Sequence, residues 1–220
     1  MWHIDGNDKI KRFGLCISGA IDGWSHFLIW LKCDVTNKNP TLIANYYLEA
    51  VDKHNTIPVT LRMDLGTENI HIQDIQNVLR NSHPVSVILG SSTHNQRIEK
   101  FWNYLRHTYT QEYMDLFEDL VLAGLLDPSK PIQIECLRFC FMTIIREELD
   151  GIKEHWNLHL MRRIRGVEGS GGIPEFLYNT PESNGGENCG FPVDMHMLDT
   201  LSTLFPDMVN PIGCDLDFAD

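Results

Sequence analysis

Three acidic residues, each in a distinctive short motif, are the first candidates for chemistry in this sequence. They are Asp5 in WHIDGN, Asp64 in RMDLGTEN and Glu99 in HNQRIEKFW. Phosphoryl transfer with two divalent ions needs hard oxygen ligands that hold the ions about 3.5–4 Å apart, so that one ion activates the attacking oxygen and the other stabilises the leaving oxygen. Carboxylates supply such ligands, and the three motifs therefore indicate metal-dependent phosphodiester chemistry.

The elements around these acids are of the kinds that bring distant residues together. Asp5 lies in a short apolar-flanked run typical of a strand, and Asp64 ends a second such run just before a glycine turn. Glu99 lies among apolar residues at helical spacing. The segment between Asp64 and Glu99 is long enough for a helix at about Ile70 to Leu79, a strand at Val85 to Leu89 and a loop. The three carboxylates are therefore expected at one edge of a sheet.

Each acid also has an ordinary interpretation when taken alone. An isolated Asp at the end of a strand is usually a turn former or a helix cap, and an isolated Glu on a helix is usually solvated. The ordered set favours catalytic positions for Asp5, Asp64 and Glu99. The other acids of this half that we interpret as turn or cap residues are Asp22, Asp34, Glu68 and Asp74, with Glu68 the best placed to support the site.

Taken in order, the motifs resemble the catalytic core of the retroviral-integrase and DDE-transposase superfamily, and most closely the integrase core domains of transposon-derived proteins in animal genomes. The resemblance covers about Trp2 to Tyr178. Besides the three acidic motifs, the matching segments are IDGWS at 21–25, WNLH at 156–159 and IPEFLY at 173–178. One departure is His26, where many relatives have Arg.

The resemblance implies an α/β, RNase H-like fold, with a mixed five-stranded sheet flanked by helices and a helical C-terminal extension. We expect an RNase H-like core at 1–110, a helical continuation at 111–178 and an acidic, loosely structured tail at 179–220. The expected elements are strands at Met1–Asn7, Phe13–Ile21, Ser25–Cys33, the run before Asp64 and Val85–Leu89, and helices at about Pro40–His54, Ile70–Leu79, around Glu99, Tyr113–Leu122 and Ile132–Leu160.

The resemblance also implies a mechanism. Two Mg²⁺ or Mn²⁺ ions held by Asp5, Asp64 and Glu99 would let water free a 3′ hydroxyl at an element end, and that hydroxyl would then attack a target phosphodiester. The chain is accordingly interpreted as a DDE polynucleotidyl transferase for DNA integration. Two alternatives stay open: a domesticated, non-catalytic protein-interaction module and an RNase H-like nuclease that cuts without joining. Only four residues precede Asp5, which suggests that the sequence is a fragment of a longer protein or a decayed copy.

Charge is distributed unevenly between the two halves. The whole chain carries −12, and residues 180–220 alone hold eight acids and no Lys or Arg. Affinity for a phosphate backbone comes mainly from Lys and Arg. The candidate nucleic-acid contacts are therefore few: Arg97, Lys100 and Arg106 around Glu99, together with Asn95, which could instead cap the helix. We expect DNA as partner, at element ends and target, with a separate DNA-binding domain supplying affinity.

Composition sets further limits. A chain of 220 residues with 43% hydrophobic content suits one α/β domain with appendages. It has no apolar run of ~18 residues and no signal-like N-terminus, so we expect an intracellular protein, nuclear or cytoplasmic, without a membrane partner. Homo-oligomers stay open. The six cysteines are expected to be reduced. Two of them, Cys136 and Cys140, precede His155 and His159 at zinc-like spacing, but a continuous helix would separate the pairs too far.

Overall fold

The structure, a computed structural model, describes residues 1–81, 83–90, 95–162 and 171–214. One five-stranded sheet has the order β3-β2-β1-β4-β5. The strands are β1 Trp2–Asn7, β2 Cys16–Asp22, β3 Leu28–Asp34, β4 Leu61–Asp64 and β5 Val87–Gly90. The first three strands pair antiparallel, whereas β4 is parallel to both β1 and β5. The mixed sheet flanked by helices confirms the α/β, RNase H-like fold class.

Seven α-helices surround this sheet in the described ranges. They are α1 Pro40–His54, α2 Ile70–Leu79, α3 Gln96–Leu105, α4 Gln111–Leu122, α5 Pro131–Leu158, α6 Pro174–Asn179 and α7 Met195–Leu204. A π-helical turn, Arg106–Thr110, joins α3 to α4. Of the helices described, none is both long enough and apolar enough to cross a bilayer.

Local sequence explains the bounds of α1. The Asn39 side chain accepts hydrogen bonds from the backbone N–H groups of Thr41 and Leu42, and Pro40 occupies the first turn, where its missing N–H costs nothing. The helix ends at Asn55, which adopts the left-handed conformation with φ 47°. Both ends therefore lie where the sequence predicts them.

Two hydrophobic clusters cover the two faces of the sheet. One contains the fully buried Trp30 and Tyr47 and is completed by α1, α2 and α7. The other contains Phe101 and Phe117 and is completed by α3, α4 and α5. Because β1 is the middle strand, residues near its end lie between the two helical layers, and α3 can reach them.

The segment 179–214 differs from the loosely structured tail that composition suggests. Asp194 caps α7, and Leu198 of that helix is only 2% exposed in the cluster that α1 completes. Phe191 pairs with Ile57 in an isolated antiparallel bridge. Apolar residues at helical spacing in 195–204 explain the difference, because a buried face offsets the acidic composition. Residues 215–220 lie outside the described part, and the domain boundaries at 110 and 178 stay predictions.

Helix α5 is continuous from Pro131 to Leu158 and so carries Cys136, Cys140 and His155 on one uninterrupted axis. At 1.5 Å per residue, Cys140 and His155 lie about 22 Å apart, which no single metal ion bridges. All six cysteines are free thiols. The structure thus agrees with the rejection of a zinc site.

Candidate active site

Strand order places two of the predicted carboxylates at the ends of adjacent strands. Parallel strands β1 and β4 pair Trp2 with Leu61 and His3 with Arg62. Two residues further along each strand are Asp5 and Asp64. The paired register ends at His3 and Arg62, so the two acids follow it at the carboxyl ends of adjacent strands. Both acids line the same cavity.

The charges of Asp64 and Glu99 both act on the carboxyl group of Asp5. Burial, followed by the negative charges of Asp64 and Glu99, raises the pKa of Asp5 from 3.8 to about 6, against the lowering effect of a hydrogen bond from Trp102. The pKa of Asp64 is also raised, first by burial and then by the charge of Glu68. Such crowding of like charges is typical of a site that a cation neutralises.

Trp102 orients the carboxylate of Asp5. Its indole Nε1–H donates to Asp5 Oδ2 at 2.9 Å, although the sequence predicts only core packing for this residue. The approach needs Gly19, which lies opposite Asp5 on β2. A Cβ atom at Gly19 would stand 2.7 Å from the Trp102 ring, closer than real Cβ contacts allow. In the sequence, a glycine inside a predicted strand often marks a close approach of this kind and could have signalled the contact.

A small cavity opens beside the paired carboxylates. It has a volume of about 220 Å³, and its lining includes Asp5, Asp64, Glu68 and Lys38. Lys38 Nζ lies 2.7 Å from Glu68 Oε1, in an ion pair whose ammonium group is about half exposed. The negative charge of Glu68 raises the pKa of Lys38, so this lysine stays charged at the mouth of the cavity. Glu68 therefore lies beside the predicted acids and pairs with Lys38 there, and its supporting role stays a prediction.

The donor groups fit a hard divalent ion. Asp64 Oδ1 is buried and accepts no hydrogen bond, and the oxygens of Asp5 and Asp64 are the ligand type that Mg²⁺ and Mn²⁺ prefer. Within the described ranges, however, no three His, Cys, Asp or Glu side chains gather closely enough to hold a metal. Asp5 and Asp64 line the same cavity, and Glu99 acts on Asp5 through its charge.

The cationic residues predicted to contact nucleic acid have different environments. Arg97 donates to Nε2 of His26 at 2.8 Å, and burial followed by the Arg97 charge lowers the pKa of His26 to about 4, which keeps the ring neutral. Arg106 Nε donates to Gln111 Oε1 at 3.3 Å. Lys100 is exposed. Nucleic-acid contact by these residues stays a prediction.

Asn95 faces the protein interior and is 1% exposed. It makes no side-chain capping bond to α3 and instead bonds to β1. Contact between Asn95 and nucleic acid stays a prediction. His94, which opens the third motif, lies outside the described residues.

Comparison with known families places the chain. The family model of the integrase core domain matches residues 1–169, a range that includes Asp5, Asp64 and Glu99. No curated protein matches the chain. The match spans well over half of the sequence and agrees with the sheet order and with the pairing of the first two acids. The chain therefore belongs to the integrase core domain family.

Proposed function

We propose that this protein cleaves DNA and joins the resulting 3′ end to a target strand, with divalent ions bound by Asp5, Asp64 and Glu99. The observation that supports this most is that Asp5 and Asp64 follow the paired residues of adjacent parallel strands and line the same cavity. The raised pKa of Asp5 adds that Glu99 lies within electrostatic reach. Fold alone does not choose an activity, because related folds carry unrelated chemistries.

Bound Mg²⁺ or Mn²⁺ would neutralise the carboxylates, activate the attacking oxygen and stabilise the leaving oxygen. The protein's own groups prepare this chemistry. Trp102 donates to Asp5 Oδ2 and orients that carboxylate, while Asp64 Oδ1 has no hydrogen-bond partner to give up. Lys38 is held by Glu68 at the cavity mouth, where its charge would attract a phosphate. Positioning and electrostatics account for the rate, and no covalent intermediate with the protein is needed.

We propose that most of the DNA affinity comes from a separate domain. The net charge of the chain is −12, and a phosphate backbone is bound chiefly through cation release by Lys and Arg. Arg97 and Arg106 already bond to protein groups, so few cations near Glu99 remain for phosphates. The core would then act on DNA that is delivered to it.

A non-catalytic interaction module is the second candidate, and one observation favours it. Helix α5 exposes large apolar side chains on its outer side, with Ile132 59%, Phe139 53% and Ile144 46% exposed. Exposed apolar surface of this kind is typical of contacts with another protein. Such contacts are compatible with catalysis, however, and do not replace it.

A strand-transfer assay with a labelled oligonucleotide and a plasmid target tests the proposal. The full chain, alone and fused to a heterologous DNA-binding domain, is incubated with Mg²⁺ or Mn²⁺, and Asp64→Asn is the matched control. Joined product that requires both the metal and Asp64 supports the proposal. Cutting without joining indicates a nuclease, and a folded fusion that binds DNA but neither cuts nor joins overturns the catalytic function.

A further inference from the structure

Asn95 links the start of α3 to the strand that carries Asp5. Its Nδ2 donates to the carbonyl oxygen of Ile4 at 3.0 Å, and its Oδ1 accepts from Nδ1 of His3 at 2.7 Å. These two partners are the residues immediately before Asp5 on β1. The amide is buried, so both of its bonds are made without competition from water.

The backbone of Asn95 reaches the other acid. Its carbonyl oxygen accepts from the backbone N–H of Glu99 at 3.3 Å, which is the first turn of α3. A single residue thus bonds to the strand before Asp5 and to the backbone of Glu99. Three residues beyond Glu99, Trp102 bonds to the Asp5 carboxylate itself. The turn that carries Glu99 is therefore fixed to β1 on both sides.

We infer that Asn95 is a positioning residue that sets where Glu99 stands relative to Asp5 and so controls the affinity of the site for divalent ions. The inference rests on the proposed function, because it assigns Glu99 to the metal site. Removing the amide leaves the Ile4 carbonyl and the His3 N–H unpaired and frees one of the two attachments of the turn. Groups that orient metal ligands typically change metal affinity by 10- to 100-fold when they are removed.

A buried asparagine also stabilises a fold, and the chain supplies a matched control for that effect. Asn157 is 6% exposed and bridges a helix to a strand in the same way. Its Oδ1 accepts from the backbone N–H of Leu28 at 2.7 Å, and its Nδ2 donates to the Leu28 carbonyl at 3.1 Å. This bridge ties α5 to β3, away from the carboxylates. Asn157→Ala therefore measures the structural cost alone.

The experiment measures the dissociation constant of Mn²⁺ for the full chain by electron paramagnetic resonance, with melting temperatures recorded alongside. The variants are Asn95→Ala, Asn157→Ala, Glu99→Ala and the double variant Asn95→Ala with Glu99→Ala. We expect Asn95→Ala to weaken Mn²⁺ binding about tenfold and Asn157→Ala to leave it unchanged at a similar melting temperature. Because Asn95 acts through Glu99, the double variant should bind no more weakly than Glu99→Ala alone.

The outcomes separate two kinds of failure. If wild-type protein binds no Mn²⁺, or binds it equally well after Asp64→Asn, the proposed metal site itself is overturned. If that site exists but Asn95→Ala matches Asn157→Ala, or adds fully to Glu99→Ala, only the positioning role is overturned. Should Asn95→Ala not fold, His3→Phe removes one of the two bonds and must still weaken Mn²⁺ binding. Unchanged binding in a folded His3→Phe protein then overturns the role.

Discussion

Replacing Asp5 by asparagine should make the metal-free protein more stable at pH 8. Burial raises the pKa of Asp5 to about 6, above its ordinary value of 3.8, so the folded state disfavours the ionised form. The contribution of Asp5 to the free energy of unfolding is fully present below the unfolded-state pKa and is lost as pH rises from about 4 through 6. Two pKa units correspond to about 3 kcal/mol. Since solvent reaches part of the side chain, we expect Asp5→Asn to gain about 2 kcal/mol.

Asparagine suits this test because its Oδ1 still accepts the hydrogen bond from Trp102. Urea denaturation in the presence of a chelator, at pH 8 and pH 5, gives the free energy of unfolding. The gain should shrink by about 1 kcal/mol at pH 5, where Asp5 of the folded wild type is mostly protonated. Asp119→Asn, at an exposed position, is the control and should change little. An equal gain at both pH values, or a loss of stability at pH 8, would refute the reasoning.

Three further outcomes are expected. Mg²⁺ at a hundredfold excess over its dissociation constant should stabilise the wild type by about 2.7 kcal/mol in thermal melts, and an equal response in Asp64→Asn would count against the site. Gly19→Ala should push the Trp102 indole off Asp5 and raise the pKa of that carboxyl in an NMR titration, since the hydrogen bond lowers it; an unchanged titration curve contradicts the contact. Leu198→Ala should cost about 3 kcal/mol in urea denaturation, whereas Leu204→Ala, at a 66% exposed position, should cost little; equal losses would show that α7 is not packed as described.

Local signals in the sequence were sufficient for most of the framework. Pro40 after Asn39 predicts the start of α1 because cap chemistry is local, and the apolar runs predict β1 and β4 because strand period is local. The start of β2 shifts from the predicted Phe13 to Cys16, and the start of β3 shifts equally far. The sequence places it at Ser25, yet the strand begins at Leu28, because Asp22 Oδ2 accepts from the backbone N–H groups of Trp24 and Ser25 and holds a turn there.

The sequence predicts which acids belong to the candidate site but not the hydrogen bonds around them. The motifs group Asp5, Asp64 and Glu99, and the fold places Asp5 and Asp64 at the ends of adjacent strands, where they line one cavity. The sequence offers two roles for Asn95, a helix cap and a substrate contact, whereas its side chain bonds to β1. The large apolar ring of Trp102 predicts core packing, and only the structure shows that its Nε1–H donates to the Asp5 carboxylate. Hydrogen bonds between residues about 90 positions apart leave no periodic trace in a sequence.

The contact between Trp102 and Asp5 adds a criterion for telling intact integrase cores from decayed copies in a genome. Glu99 and Trp102 lie one turn apart on α3, so one helix delivers an acid and also holds another acid in place. A copy that keeps all three acids but has lost Trp102, or has gained a side chain at the position of Gly19, would carry the complete acidic motif without the hydrogen bond that orients Asp5. Surveys of genomes for intact elements should therefore score the glycine and the tryptophan together with the three acids.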